Sequence, residues 1–103
     1  MYKLSFFVPE SHMETVKEAV FTAGGGKIGD YDRCSWQTKG VGQFRPLDGS
    51  SPFLGSVGEV ELVEEYKVEL VVEDALIASV VAAMKLAHPY EEPAYDVYRL
   101  ESI

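Results

Sequence analysis

The run His88-Pro89-Tyr90-Glu91-Glu92-Pro93 gathers an imidazole, a phenol and two carboxylates into the densest cluster of titratable side chains in the chain. These are groups that move protons: neighbouring carboxylates can push one pKa upward and poise an acid, with the phenol beside them as a further donor. Prolines at both ends restrict the backbone, so the run can hold its groups in one arrangement. Adjacent side chains of an extended segment point apart, however. The plainer reading is that Tyr90 anchors the loop in the core while one glutamate caps exposed amides or pairs with a basic residue of a neighbouring subunit.

Cys34 with His88 and Glu91 or Glu92 would join a thiolate, an imidazole and a carboxylate, a donor set suited to zinc or copper. No local spacing links these residues, so the fold would have to carry Cys34 to a histidine some fifty positions later. The competing expectation is a Cys34 that packs as a small buried hydrophobe and a His88 that hydrogen-bonds the end of its helix. Trp36 and Phe44 flank a glycine-bearing stretch and can either wall a planar ligand or pin a long loop to its sheet. His12 falls in a first helical turn and is expected to face solvent. Gly24-Gly25-Gly26-Lys27-Ile28-Gly29 satisfies G-x-G-x-x-G, but it follows a helix where a dinucleotide fingerprint links a strand to a helix. Ile28 also stands where a phosphate-binding loop needs serine or threonine after its lysine. A helix C-cap and turn is the expectation there.

The elements that position these residues are legible from periodicity. Tyr2, Leu4, Phe6 and Val8 alternate with Lys3, Ser5 and Phe7, as a strand with one buried face does, and Pro9 ends it. Ser11-His12-Met13-Glu14 reads as a capping box, followed by a helix whose stripe is Met13, Val16, Ala19, Val20 and Ala23 and which stops at the glycine run. Tyr31 to Thr38 is expected as the second strand. From Gly40 to Gly58 the chain carries five glycines and two prolines, a long excursion whose scattered apolar residues give it something to dock with. Leu62, Tyr66, Val68, Leu70 and Val72 mark a long strand with a bend or bulge expected near Glu64-Glu65. Asp74 is the expected N-cap of a helix with the stripe Ile77, Val80, Val81 and Met84, which Pro89 forbids from continuing. Tyr95, Val97, Tyr98 and Leu100 make the last strand.

The resulting order, βαββαβ, is that of a ferredoxin-like α+β sandwich: an antiparallel sheet with both helices on one face. The other sheet face is then left for a second subunit to cover. At 103 residues and 11.4 kDa one domain is expected, spanning residues 1 to 103. The apolar stretches are short, and the N-terminal residues lack the h-region of a signal peptide, so no membrane partner and a cytoplasmic location are expected. One cysteine excludes an internal disulfide and any CxxC motif. The net charge of -8 opposes a phosphate backbone and argues against a nucleic-acid partner. Charge is also mildly segregated: residues 27 to 45 carry Lys27, Arg33, Lys39 and Arg45 against Asp30 and Asp32, whereas residues 59 to 74 carry seven acids and only Lys67. Such asymmetry suits self-association of unlike faces.

The segment HPYEEPAYDVY, following a short helix, resembles the CutA-like and PII-like trimeric ferredoxin folds. A closer likeness runs from residue 2 to 101. Cys34-Ser35-Trp36, Gly40-Val41-Gly42-Gln43-Phe44-Arg45-Pro46, then Gly49, Pro52 and Gly55, then Gly58-Glu59-Val60-Glu61 resemble the domain inserted in YqfO-type proteins, the GTP cyclohydrolase I type 2 homologue or NGG1-interacting-factor-like family. In that family a dinuclear metal site of histidines and carboxylates lies on the two halves flanking the insert. His12 and His88 are the only histidines here, and neither flanking half is present, so that site transfers to no residue of this chain. The resemblance implies instead a homo-oligomer, a trimer by analogy, with Trp36, Phe44, His88, Tyr90, Glu91 and Glu92 as signature or interface positions. With the open sheet face, the opposed charges and the lack of a complete catalytic set, the expectation is an interaction or ligand-sensing module that acts without catalysis and without a cofactor. Two alternatives stand beside it. One is a transition-metal module on Cys34, His88 and Glu91 or Glu92; the other is an accessory subunit to a metal-dependent, hydrolase-like protein partner.

Overall fold

The computed structural model describes all 103 residues. Four strands, β1 (Tyr2–Pro9), β2 (Trp36–Phe44), β3 (Glu61–Val72) and β4 (Tyr95–Arg99), form one antiparallel sheet in the order β2-β3-β1-β4. Helix α1 (Glu10–Thr22) follows β1 directly, and α2 (Ile77–Ala87) follows β3 through a 3-10 turn at Asp74–Leu76. The ferredoxin-like arrangement expected from the element order is the one observed.

The period-2 pattern decides which sheet face the helices cover. Leu4, Phe6 and Val8 of β1 and Val68, Leu70 and Val72 of β3 point one way, where they enclose a core with Met13, Val16 and Val20 of α1 and Val80 and Met84 of α2. The alternate residues Lys3, Ser5, Phe7, Glu65, Lys67 and Glu69 face the other way and meet no helix, because partners in register share a face. Trp36, paired with Glu69, lies on that open face and is 70% exposed.

Several local expectations change. Helix α1 begins at Glu10 with Pro9 as its N-cap and no side-chain cap, so Ser11 is already inside the first turn. Its hydroxyl instead meets His12 Nδ1 at 2.8 Å, and Glu14 pairs with Lys17. Asp74 likewise does not cap; the cap position is Glu73, without a side-chain bond. The second strand starts at Trp36, five residues later than expected at Tyr31, because the intervening chain reverses in a tight Ile28–Tyr31 turn and Arg33 adopts a positive φ of 56°. That strand then runs through Gly40 and Gly42, which pair with Glu65 and Val63. The excursion therefore shrinks to roughly residues 45 to 60, closed by Gly58 N–H donating to the Pro46 carbonyl at 2.9 Å.

No bulge interrupts β3, whose pairing with both neighbours is in unbroken register. The apolar alternation lapses at Glu64 for another reason. β1 ends where Pro9 meets Glu65, so Glu61–Glu64 pair with β2 alone as a two-stranded ribbon that has left the helix layer. This ribbon lengthens the molecule to 46 × 24 × 24 Å and raises the radius of gyration to 14.5 Å, above the roughly 13 Å typical of a compact chain of this length.

Candidate functional site

At the root of the ribbon, where β1 ends and β2 and β3 continue, the excursion and the loop from His88 to Ala94 enclose a cleft of about 390 Å³. Its size is within the roughly 300–1,000 Å³ range of small-molecule sites. Phe7, Phe44, Phe53 and Tyr90 supply aromatic walls, and Arg45, Glu65, Glu91 and Glu92 supply charge.

His88 fixes the loop. It is 7% exposed, and both ring nitrogens are committed: Nε2–H donates to the Phe7 carbonyl at 2.7 Å, and Nδ1 accepts the Tyr90 amide at 3.1 Å. Those two partners select the neutral Nε2–H tautomer. Burial holds the imidazole pKa below its ordinary value, against the opposing pull of the Phe7 carbonyl. Phe7 is held through its other backbone group as well, since its amide donates to the Ala94 carbonyl at 3.2 Å. The prolines turn the chain, but the imidazole ties it to β1. The expected bond from His88 to its own helix end is made by its backbone amide, to the Met84 carbonyl.

Tyr90 packs against His88, Phe44 and Phe53, with ring centroids 4.9, 6.2 and 6.2 Å away. Its hydroxyl oxygen is buried and has no hydrogen-bond partner. Desolvation and then the neighbouring Glu65 carboxylate push its pKa far above the usual phenol value, so Tyr90 stays neutral. Gly42 makes room for Glu65: a Cβ there would collide with the Glu65 carboxylate oxygen. Across the cleft, Glu91 Oε1 accepts the Ser51 amide at 3.1 Å and so latches the excursion to the 88–94 loop.

Several sequence-predicted groupings do not form. Cys34 N–H donates to the Gly26 carbonyl, and Gly26 in turn to Val71, the residue opposite Lys3. Cys34 thus sits by the start of β1 whereas His88 binds Phe7 near its end, four residues or roughly 13 Å further along. No three of the cysteine, histidine and carboxylate side chains converge to hold a metal ion. With both His88 nitrogens occupied and Cys34 at the far end of the sheet, the donor set for zinc or copper does not fit. Cys34 is partly exposed, with Sγ 3.6 Å from the Asp32 carbonyl, and is not a buried hydrophobe. Trp36 and Phe44 stand at opposite ends of β2 and build no common wall. Phe44 lines the cleft and Trp36 does not.

Other residues enter the site without a sequence signal. Glu65 registered only as a break in alternation, Arg45 only as part of a basic segment and of the family pattern, and Phe53 only among the apolar residues of the excursion. His12, expected in solvent, stacks edge-on against Phe53 at 5.4 Å and props the excursion from α1. Only the tertiary meeting of α1, the excursion and the 88–94 loop reveals these roles.

No family model matches the chain. The GTP cyclohydrolase 1 type 2 homologue of Halalkalibacterium halodurans is 50% identical over 100 residues, and that of Mycobacterium tuberculosis 53% over 98 residues. The chain is homologous to a segment of the GTP cyclohydrolase 1 type 2 homologues. These matches cover 97% and 95% of the chain but 27% and 26% of the relatives, so it spans about a quarter of their length. Among solved structures, a Bacillus cereus protein related to NIF3 superimposes with a TM-score of 0.84 at 42% identity, over 98% of this chain and 26% of that one. The periplasmic divalent cation tolerance protein CutA of Archaeoglobus fulgidus matches with a TM-score of 0.68 at 15% identity, over 99% of this chain and 86% of that one. The PII-like CutA of Nostoc gives 0.65 at 18%, over 98% and 82%. At such identities the last two show a shared fold. The YqfO-type likeness read from the glycine and proline pattern and the CutA-like fold are thus both found.

Proposed function

We propose that this domain is a homo-oligomeric ligand-sensing module of the cytoplasm that performs no chemistry itself, and that its ligand occupies the cleft beneath Tyr90. One observation carries the reading: a phenol hydroxyl buried without a partner at an aromatic cleft. Burying an unsatisfied hydroxyl costs about 1–3 kcal/mol, a cost that a ligand offering the missing hydrogen bond would offset. The Glu91–Ser51 latch supplies the sensing part, since a ligand between the two loops would bias whether the excursion stays closed. The groups of the cleft form no nucleophile–base pair, because His88 is spent on the backbone and Tyr90 is held neutral.

Self-association is supported by the open sheet face and by β2, an exposed edge strand with unpaired backbone groups along one side. A trimer is the assembly that the CutA- and PII-like fold suggests. Because the chain spans about a quarter of its relatives, the longer proteins' activity and partners bear on it as context: such a module would report ligand to whatever it is joined to or docks on. A thermal-shift screen with small aromatic fragments tests the ligand reading. Hits whose stabilisation survives Cys34→Ser but not Tyr90→Phe support it, and an absence of hits at millimolar concentration contradicts it.

A further inference from the structure

Resting on the reading of the cleft as a ligand site, we infer that the cleft takes a compact organic cation, an ammonium or guanidinium group carried on a flat apolar body. Charge comes first. The cleft is lined by three carboxylates, Glu65, Glu91 and Glu92, and by one cation, Arg45. Glu91 is engaged with the Ser51 amide at the loop junction. Arg45 is exposed at the rim, whereas Glu65 is partly buried beside the Tyr90 hydroxyl.

Glu65 lacks a countercharge. On its own face Lys67 is turned elsewhere, with Nζ 3.7 Å from Glu69, and Lys39 lies on the opposite face of β2, with Nζ 3.5 Å from Glu64. Glu65 itself enters no ion pair, although burial makes an unpaired carboxylate costly. Gly42 keeps it in that position, since any larger residue would collide with its carboxylate. The phenol oxygen of Tyr90 adds an unused acceptor at the same spot. A neutral Tyr90 keeps lone pairs that can accept a ligand N–H.

The walls agree with the charge. Phe44 and Phe53 flank Tyr90, and an aromatic face attracts a cation through its quadrupole, most strongly when water is excluded. The apolar body would rest against Pro46, Leu47 and Leu54. An anion placed in the same cleft would meet Glu65 with only the rim guanidinium in its favour.

Calorimetric titration of the intact chain with 2-phenylethylammonium, its neutral isostere 2-phenylethanol and the anion phenylacetate separates the possibilities. The ammonium should bind about tenfold or more tighter than the alcohol, and the anion weakest. Glu65→Gln, which keeps shape and removes charge, should erase most of that preference. Gly42→Ala, which displaces the Glu65 side chain and leaves the strand backbone free to pair, should do the same while the unfolding midpoint stays near that of the parent. Equal affinity for ammonium and alcohol, tighter binding of phenylacetate, or an ammonium preference unchanged in both variants would overturn the cation assignment and leave the ligand site standing. No binding by any of the three at millimolar concentration would overturn both.

Discussion

His88 illustrates how a residue of catalytic type becomes structural once its partners are fixed. With Nε2 on the Phe7 carbonyl and Nδ1 on the Tyr90 amide, the ring joins the end of β1 to the start of the loop. His88→Ala removes both bonds and leaves two backbone groups to find new partners, so it should cost about 2–4 kcal/mol in urea unfolding. Its titration has a definite direction. Burial lowers the folded-state pKa below the ordinary 6.5, so the unfolded chain binds the proton more readily. The neutral ring's contribution is complete above pH 6.5 and is lost as pH falls from there through the folded-state pKa, because protonating Nδ1 expels the Tyr90 amide. The urea midpoint should fall across that window, and His88→Gln should flatten the response. Tyr90 gives the opposite test. Since its buried hydroxyl has no partner, Tyr90→Phe should leave stability unchanged or raise it by about 1 kcal/mol while weakening ligand binding. A loss of stability would mean that the hydroxyl is already satisfied.

At the scale of elements, the glycine run after α1 was legible as a helix stop, and the structure shows the mechanism. Gly24 at φ 107° follows the cap residue Ala23, and the amides of Gly24 and Gly25 return to the carbonyls of Phe21 and Val20, a Schellman closure. Gly26 is constrained further. At φ 78°, an added Cβ would stand 2.8 Å from the Cys34 carbonyl oxygen. Gly26→Ala should therefore cost more than about 1 kcal/mol, whereas Gly29→Asn, at φ 57° with nothing near a Cβ, should be close to neutral in the same denaturation assay. The helices, β1 and β3 were legible because each buries one periodic face, whereas β4, with only Tyr95 partly buried, was legible from the strand-favouring residues Tyr95, Val97 and Tyr98. β2 was misplaced because it is an edge strand lying largely clear of the core, and nearly all its residues are exposed. Its sequence therefore carries backbone pairing without the alternation that burial imposes. The capping box failed for a related reason: Pro9 led the strand straight into the helix and moved the start ahead of Ser11.

For the whole molecule, the loop from His88 to Pro93 was recognisable by its residues, but its partners were not. Glu65, Phe53, Arg45 and His12 come from a strand, a loop and a helix far apart in sequence, and only the departure of the ribbon from the sheet opens a cleft between them. The face opposite the helices is equally a property of the assembled sheet, mixing Trp36 and Tyr98 with Lys3, Lys67 and Glu69. If copies associate there, light scattering at micromolar concentration should give a multiple of the 11.4 kDa chain mass, about threefold for a trimer. A strict monomer would remove the oligomeric half of the proposal. No helix is long and apolar enough to cross a membrane. Ligand capture between the excursion and the 88–94 loop is the central claim, and an amide chemical-shift map of the chain titrated with 2-phenylethylammonium tests it most directly. The account predicts shifts confined to Phe44–Leu54, Glu65 and Tyr90–Ala94, with Ser51 among the largest. Shifts centred on Gly26–Trp36 at the far end of the sheet, or none at saturating probe, would contradict it.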